Sequence, residues 1–251
     1  MSRRRFYAPP ENFNEQTITL SPDESKHLRD ALRLKVGDEI FVFDGEGREF
    51  SCEITEAGRG SEPAILHVNH KVEPARPESP LSLILAVGLL KGEKFDLVVQ
   101  KATELGVSRI VPVITARGDV KLKTADDAAK RVSRWRRLAL EAAKQSGRAF
   151  VPVVELPQPF SFVIERETRA EEARLFFSER DGVKLRSVLK DQMPLFVTVF
   201  VGPEGGWDNE ELDQARNKGW QIITLGGRIL RAETAVIVVT ALSQHLFGDL
   251  V

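Results

Sequence analysis

Two glycine-punctuated segments carry the residues best suited to chemistry: Gly202-Pro203-Glu204-Gly205-Gly206-Trp207 and Leu225-Gly226-Gly227-Arg228-Ile229-Leu230-Arg231-Ala232-Glu233-Thr234-Ala235. Glycine permits a tight backbone course and close approach to a ligand. Each segment follows a short apolar run and precedes a helical pattern. That places both at the carboxyl ends of neighbouring strands, where an open α/β sheet holds a small ligand. The first segment alone is equally a plain turn. The second sharpens the ligand reading, because Arg228, Arg231 and Glu233 put charge beside its glycines and directly ahead of an apolar helix from Ala235 to Phe247.

The elements that position these loops follow from periodicity. Strand-sized runs at 16–20, 39–43, 49–54 and 64–68, separated by glycine, proline or acidic turns, predict a small β-rich domain over residues 1–72. Asp44-Gly45-Glu46-Gly47 reads as a hairpin connection. Ser21-Pro22-Asp23-Glu24 opens a short helix, with serine as cap and acids at its positive end. Residues 73–80 hold three prolines and few apolar side chains, and read as a linker. From 81 to 251, strands at 81–89, 107–114, 173–178, 196–201 and 221–225 alternate with helices at 94–105, 125–145, 208–218 and 231–246. This alternation predicts a mostly parallel α/β domain.

A chain of 251 residues can bury a sizeable core. The single cysteine, Cys52, excludes an intrachain disulfide framework and fits a reducing compartment, and Cys52 with the four histidines gives no familiar metal-ligand spacing, so no metal is expected. No apolar run reaches membrane-span length, and the basic start lacks a signal-peptide hydrophobic region; the expectation is a cytoplasmic protein with no membrane partner. The formal net charge of −1 argues against a generic nucleic-acid coat, and no DNA partner is expected. Between Arg117 and Arg148, however, ten basic residues face four acidic ones. That run either steers a polyanion or forms a solvated helix face. No GxGxxG lies between an early strand and helix, and no GxxxxGK is followed by Ser or Thr, which removes the usual dinucleotide and phosphate-loop signatures.

At the glycine loops the sequence resembles the bacterial 16S ribosomal RNA uridine N3-methyltransferases, the RsmE family of the SPOUT superfamily. The likeness spans nearly the full chain: Arg3 to Phe6, His27-Leu28, Leu32-Arg33, Gly37-Asp38, residues 101–107, residues 141–148, Gly202 to Gly206, Ile229 to Ala235 and Gly248-Asp249-Leu250. Trp207 departs from the family's usual phenylalanine but keeps a large aromatic. The resemblance implies an α/β fold with an N-terminal PUA-like β-barrel that helps hold RNA. It also implies a C-terminal trefoil-knotted methyltransferase domain binding S-adenosyl-L-methionine, a homodimer, and a target uridine in the decoding region of the small subunit's 16S ribosomal RNA.

On that footing the cofactor is expected against Phe177, Ser178, the Gly202, Pro203, Glu204, Gly205 and Gly206 loop, and Leu225, Gly226, Gly227, Ile229 and Leu230. Gly205 is expected to matter because backbone must approach the cofactor closely there. Methylation at uridine N3 needs loss of the imide proton and stabilisation of the resulting anion. Arg231 is the candidate for the anion or the target phosphate, and Glu204 and Glu233 are candidate proton acceptors or orienters. Acids that cap a turn, or pair with Arg228, are the bland alternative. Arg3, Arg5, Arg29, Arg33, Arg134, Arg137, Gln145 and Arg148 are candidate RNA contacts. The competing function is a non-catalytic RNA-binding or ribosome-assembly protein with a SPOUT-like domain.

Overall fold

The computed structural model describes residues 3–122, 124–188 and 194–251; Lys123 of the basic run lies outside the described residues. Two compact units share the chain. One takes the chain up to Glu78 together with Leu140–Val151, and the other takes Ser79–Ala139 with Pro152–Val251. Residues 140–151, grouped by periodicity with the α/β domain, thus cluster with the first unit.

The first unit is built on β1 (Arg5–Tyr7), β2 (Phe13–Asn14), β3 (Thr17–Thr19), the short helix α1 (Pro22–Lys26), β4 (Glu39–Phe43), β5 (Glu49–Glu56) and β6 (Ile65–Val72). Ser21 caps α1 by accepting from the Glu24 backbone N–H, as expected, and the chain then makes a π-helical turn over His27–Ala31. The strands run in the order β1-β4-β5-β6-β3-β2. The sheet curls into a half-barrel, in keeping with the PUA-like β-barrel expected. Its inward positions, including Phe6, Ile18, Ile40, Val42, Ile54 and Leu66, are fully buried with Leu28. Cys52 lies in this core, where desolvation pushes its thiol up to about 12.

The second unit contains β7 (Ser82–Gly88), α2 (Lys94–Glu104), β8 (Arg109–Ile114), β9 (Val153–Val154), β10 (Gln158–Pro159), the short helix α4 (Phe160–Ile164), β11 (Glu172–Phe177), β12 (Phe196–Val201), α5 (Asn209–Asn217), β13 (Gln221–Ile223) and α6 (Ala232–Phe247). The long helix α3 (Ala125–Ser146) begins in this unit and ends in the first. All pairings are parallel, in the order β10-β8-β7-β12-β11-β13 with β9 also on β8. Runs such as Leu83-Ile84-Leu85-Ala86-Val87 and Val197-Thr198-Val199-Phe200-Val201 suit a sheet covered on both faces. An aromatic cluster of Phe160, Phe176, Phe200, Trp207 and Trp220 fills one side. Helix α6 packs against α2, β7 and β12.

Candidate active site

The carboxyl ends of β11, β12 and β13 converge on a cavity of about 460 Å³. Because β12 lies beside β11 and β11 beside β13, the loops that follow them become neighbours although far apart in sequence. Phe177, Ser178, Gly202, Pro203, Glu204, Gly206, Leu225, Gly226, Gly227, Ile229 and Leu230 all line the cavity, together with Arg228 and Arg231. Gly226 and Gly227 take φ of +76° and +74°, a left-handed course that side-chain-bearing residues rarely adopt. Two successive such residues keep this wall free of Cβ atoms.

Gly205 is not among the lining residues. A Cβ built there would lie 2.6 Å from the Arg117 carbonyl oxygen, so its close approach is to the loop after β8 and not to the cavity. Trp207 anchors the same loop from below: its indole N–H donates to the Phe177 carbonyl at 2.7 Å, and its ring centroid lies 4.3 Å from that of Phe176. Asp208 then caps α5, and Glu211 completes a reciprocal capping box while accepting from Ala116 N–H at 2.8 Å.

Glu204 on the cavity wall accepts from Lys94 Nζ at 2.9 Å and from Lys91 N–H at 3.3 Å. Partial burial pushes its carboxyl up, but the Lys94 ammonium and the backbone donors outweigh this and hold it below the usual carboxylate range. Arg231 stands at the cap position of α6, exposed, and its carbonyl accepts from Ala235 N–H at 2.8 Å. Among the described residues neither Arg228 nor Arg231 has a carboxylate partner. Glu233 does not line the cavity, and its Oε2 is buried without a hydrogen-bond donor among the described residues. The bland pairing of Glu233 with Arg228 is therefore not formed.

Lys94, Glu179 and Arg180 also line the cavity, and the sequence reading passed over them. Arg180 donates to Asn209 Oδ1 at 2.7 Å. The available signal for Glu179 and Arg180 was position, since both directly follow the end of a strand. Lys94 opens a helix distant in sequence, so only strand order brings it to the wall.

The expected RNA contacts divide by what they already hold. Arg5 is 8% exposed at its side chain, donates to both Glu49 and the carbonyls of Lys144 and Arg148, and stacks over Phe43; Arg148 is buried against Glu78. These two guanidiniums brace the first unit and are not presented to solvent. Arg3 shares Glu49 with Arg5, Arg29 donates to the carbonyls of Ala57, Gly60 and Glu62, and Arg134 pairs with Asp96. Arg33, Arg137 and Gln145 are exposed. Among the described residues no group of His, Cys, Asp or Glu is arranged to hold a metal ion, and no helix is long and apolar enough to cross a membrane.

Comparison with known proteins adds a family to this geometry. An RNA methyltransferase domain family matches residues 77–244, and an RNA methyltransferase PUA domain family matches residues 20–62. The chain is 33% identical to a ribosomal RNA small subunit methyltransferase E from Synechocystis, over 94% of this chain and 76% of the relative. It is 31% identical to the protein of that name from Rickettsia conorii, over 99% and 98%. A crystal structure of a ribosomal RNA small subunit methyltransferase E from Neisseria gonorrhoeae bound to S-adenosyl methionine superposes with a TM-score of 0.86 at 35% identity, covering 100% of both chains. A putative methyltransferase from Legionella pneumophila in complex with the cofactor superposes at 0.87 with 30% identity, covering 99% of this chain and 100% of that one.

Proposed function

We propose a function from one premise: this chain belongs to the ribosomal RNA small subunit methyltransferase E family. The chain methylates 16S ribosomal RNA with S-adenosyl-L-methionine, at N3 of a uridine in the decoding region of the assembled small subunit. The observation that carries this reading is the cavity at the ends of β11, β12 and β13, walled by glycine backbone and apolar side chains, with the Arg231 guanidinium, unpaired among the described residues, at its edge. Its volume lies within the range of about 300–1,000 Å³ typical of small-molecule sites.

The residues fit the cofactor. Leu225, Ile229, Leu230 and Phe177 offer apolar contact, and the Cβ-free wall at Gly226-Gly227 lets backbone groups reach a nucleoside. When bound, S-adenosyl-L-methionine supplies a methyl group already activated by its sulfonium, so the chain has no leaving group to activate. What the chain supplies is position, charge and a proton path. Arg231 stabilises the negative charge that develops on uracil as the imide proton leaves, or holds the target phosphate. Glu204, fixed as an anion by Lys94, orients its surroundings and is a weak base. Glu233, whose Oε2 is buried off the cavity without a donor among the described residues, takes the proton only through an intervening group.

Arg33, Arg137 and Gln145 are the members of the expected RNA set left open to solvent, with Arg3, Arg29 and Arg134 partly committed to the protein. Phosphate contacts of this kind hold RNA without reading its sequence. A homodimer is proposed through α6, whose Ile237, Val238, Ala241 and Leu242 are only half-buried in one chain. The ribosomal substrate places the enzyme in the cytoplasm.

The test is transfer of tritiated methyl from S-adenosyl-L-methionine to isolated small subunits, followed by nucleoside mapping. Label recovered as N3-methyluridine in 16S RNA is expected. No transfer, or a different methylated nucleoside, would overturn the assignment.

A further inference from the structure

The sheet of the second unit has another cavity, of about 480 Å³, lined from the amino ends of its strands and so at the opposite end from the glycine loops. It backs onto the apolar core, where Ala86, Val111 and Trp220 are buried and Ile84 is partly exposed. Its rim holds four guanidiniums, those of Arg109, Arg166, Arg169 and Arg174.

Their partners leave positive charge uncovered. Arg109 and Arg166 share one carboxylate, Glu155, at 2.7 and 2.9 Å. Among the described residues Arg174 donates to neutral acceptors, Thr168 Oγ1 at 2.8 Å and the carbonyls of Ile164 and Lys218, and lies 4.4 Å over the Trp220 ring. Burial lowers the Arg174 pKa, against the opposing charge of Glu172, as expected for a guanidinium without full compensation. Arg169 rests on the Phe196 ring at 5.0 Å and has no ion pair among the described residues. Glu172 already accepts from the Thr198 hydroxyl and the Arg169 backbone N–H, and Glu167 sits at the exposed edge.

We propose that this cavity binds a nucleoside phosphate, with the phosphoester on the arginine rim and the nucleoside in the remaining volume beside Ile84. Guanidinium forks match phosphate oxygens in pairs, which favours a phosphoester over a halide or a single-point anion. A bare phosphate would leave most of the volume unfilled. A free mononucleotide and one residue of an RNA strand present the same chemistry.

Calorimetric titration of the full chain with uridine 5′-monophosphate and adenosine 5′-monophosphate, and separately with a single-stranded RNA hexamer, distinguishes these sources. Arg169→Ala and Arg166→Ala are expected to weaken binding at least tenfold; Arg231→Ala and excess S-adenosyl-L-methionine are expected to leave it unchanged. Mononucleotide binding identifies a free ligand, and hexamer binding alone, lost in the same variants, identifies a strand. Should Arg166→Ala fail to fold, Arg169→Ala decides. The proposal is overturned if neither probe binds, if binding ignores Arg169→Ala, or if the methyl donor displaces the probe. None of these outcomes depends on methyl transfer, so failure of the proposed activity and failure of this site are separately visible.

Discussion

Arg231 stands on the cavity wall at the cap of α6, exposed and with no acid against it among the described residues, and is therefore open to an incoming anion. Arg231→Ala is expected to keep most cofactor affinity while transfer falls on the order of 100-fold, the usual scale for losing one directed contact to developing charge. Single-turnover transfer to small subunits, beside calorimetry with the cofactor, measures both; parent-rate transfer would remove Arg231 from the chemistry. Glu204 carries a pH signature. Its folded pKa is depressed, so its contribution to stability is present above the unfolded value and is lost as pH falls through the folded one. Lys94→Met removes a principal lowering partner and should move the Glu204 midpoint upward, read by carboxyl NMR titration. An unmoved midpoint would mean that the backbone donors alone hold the anion. Residue types made Glu204 and Arg231 legible in the sequence. Lys94 was not, because its place beside Glu204 is a product of strand order.

Among the elements, the loop after β12 is held from two sides, by Trp207 beneath and by the Arg117 carbonyl against Gly205. Gly205→Val should therefore act by displacing the loop after β8. A loss of at least 1–2 kcal/mol in stability is expected, of the order seen for overpacking a close contact, with weaker cofactor binding as a secondary effect. Chemical denaturation checks it: unchanged stability with lost cofactor affinity would put Gly205 back on the cavity. Periodicity marked the principal strands and helices of the α/β sheet because long, strongly patterned runs survive tertiary context. β9 and β10 escaped it, being two-residue strands whose pairing with β8 leaves no pattern to read. The Arg5 and Arg148 guanidiniums looked like solvent-facing cations in the sequence; Glu49 and Glu78, which bury them, are distant along the chain.

For the whole molecule, the half-buried row on α6 and Ile229, 87% exposed, leave apolar surface that a second copy would cover. Sedimentation velocity at micromolar concentration is expected to show a dimer, with an interface of the usual 1,200–2,000 Å² or so; a monomer with full turnover would make pairing dispensable. The membership of residues 140–151 in the first unit has a different consequence. Lys144 Nζ meets Glu24 at 2.6 Å, Arg5 donates to the Lys144 and Arg148 carbonyls, and Val151 N–H donates to Gly45. A chain emerging from the ribosome therefore releases the first unit's sheet long before the segment that completes it. At roughly 5–20 residues per second, the stretch between them takes several seconds to synthesise. The N-terminal half-barrel is thus first made but not first finished, and the nascent chain waits with Glu24 lacking Lys144 and Glu78 lacking Arg148 until the far end of α3 arrives.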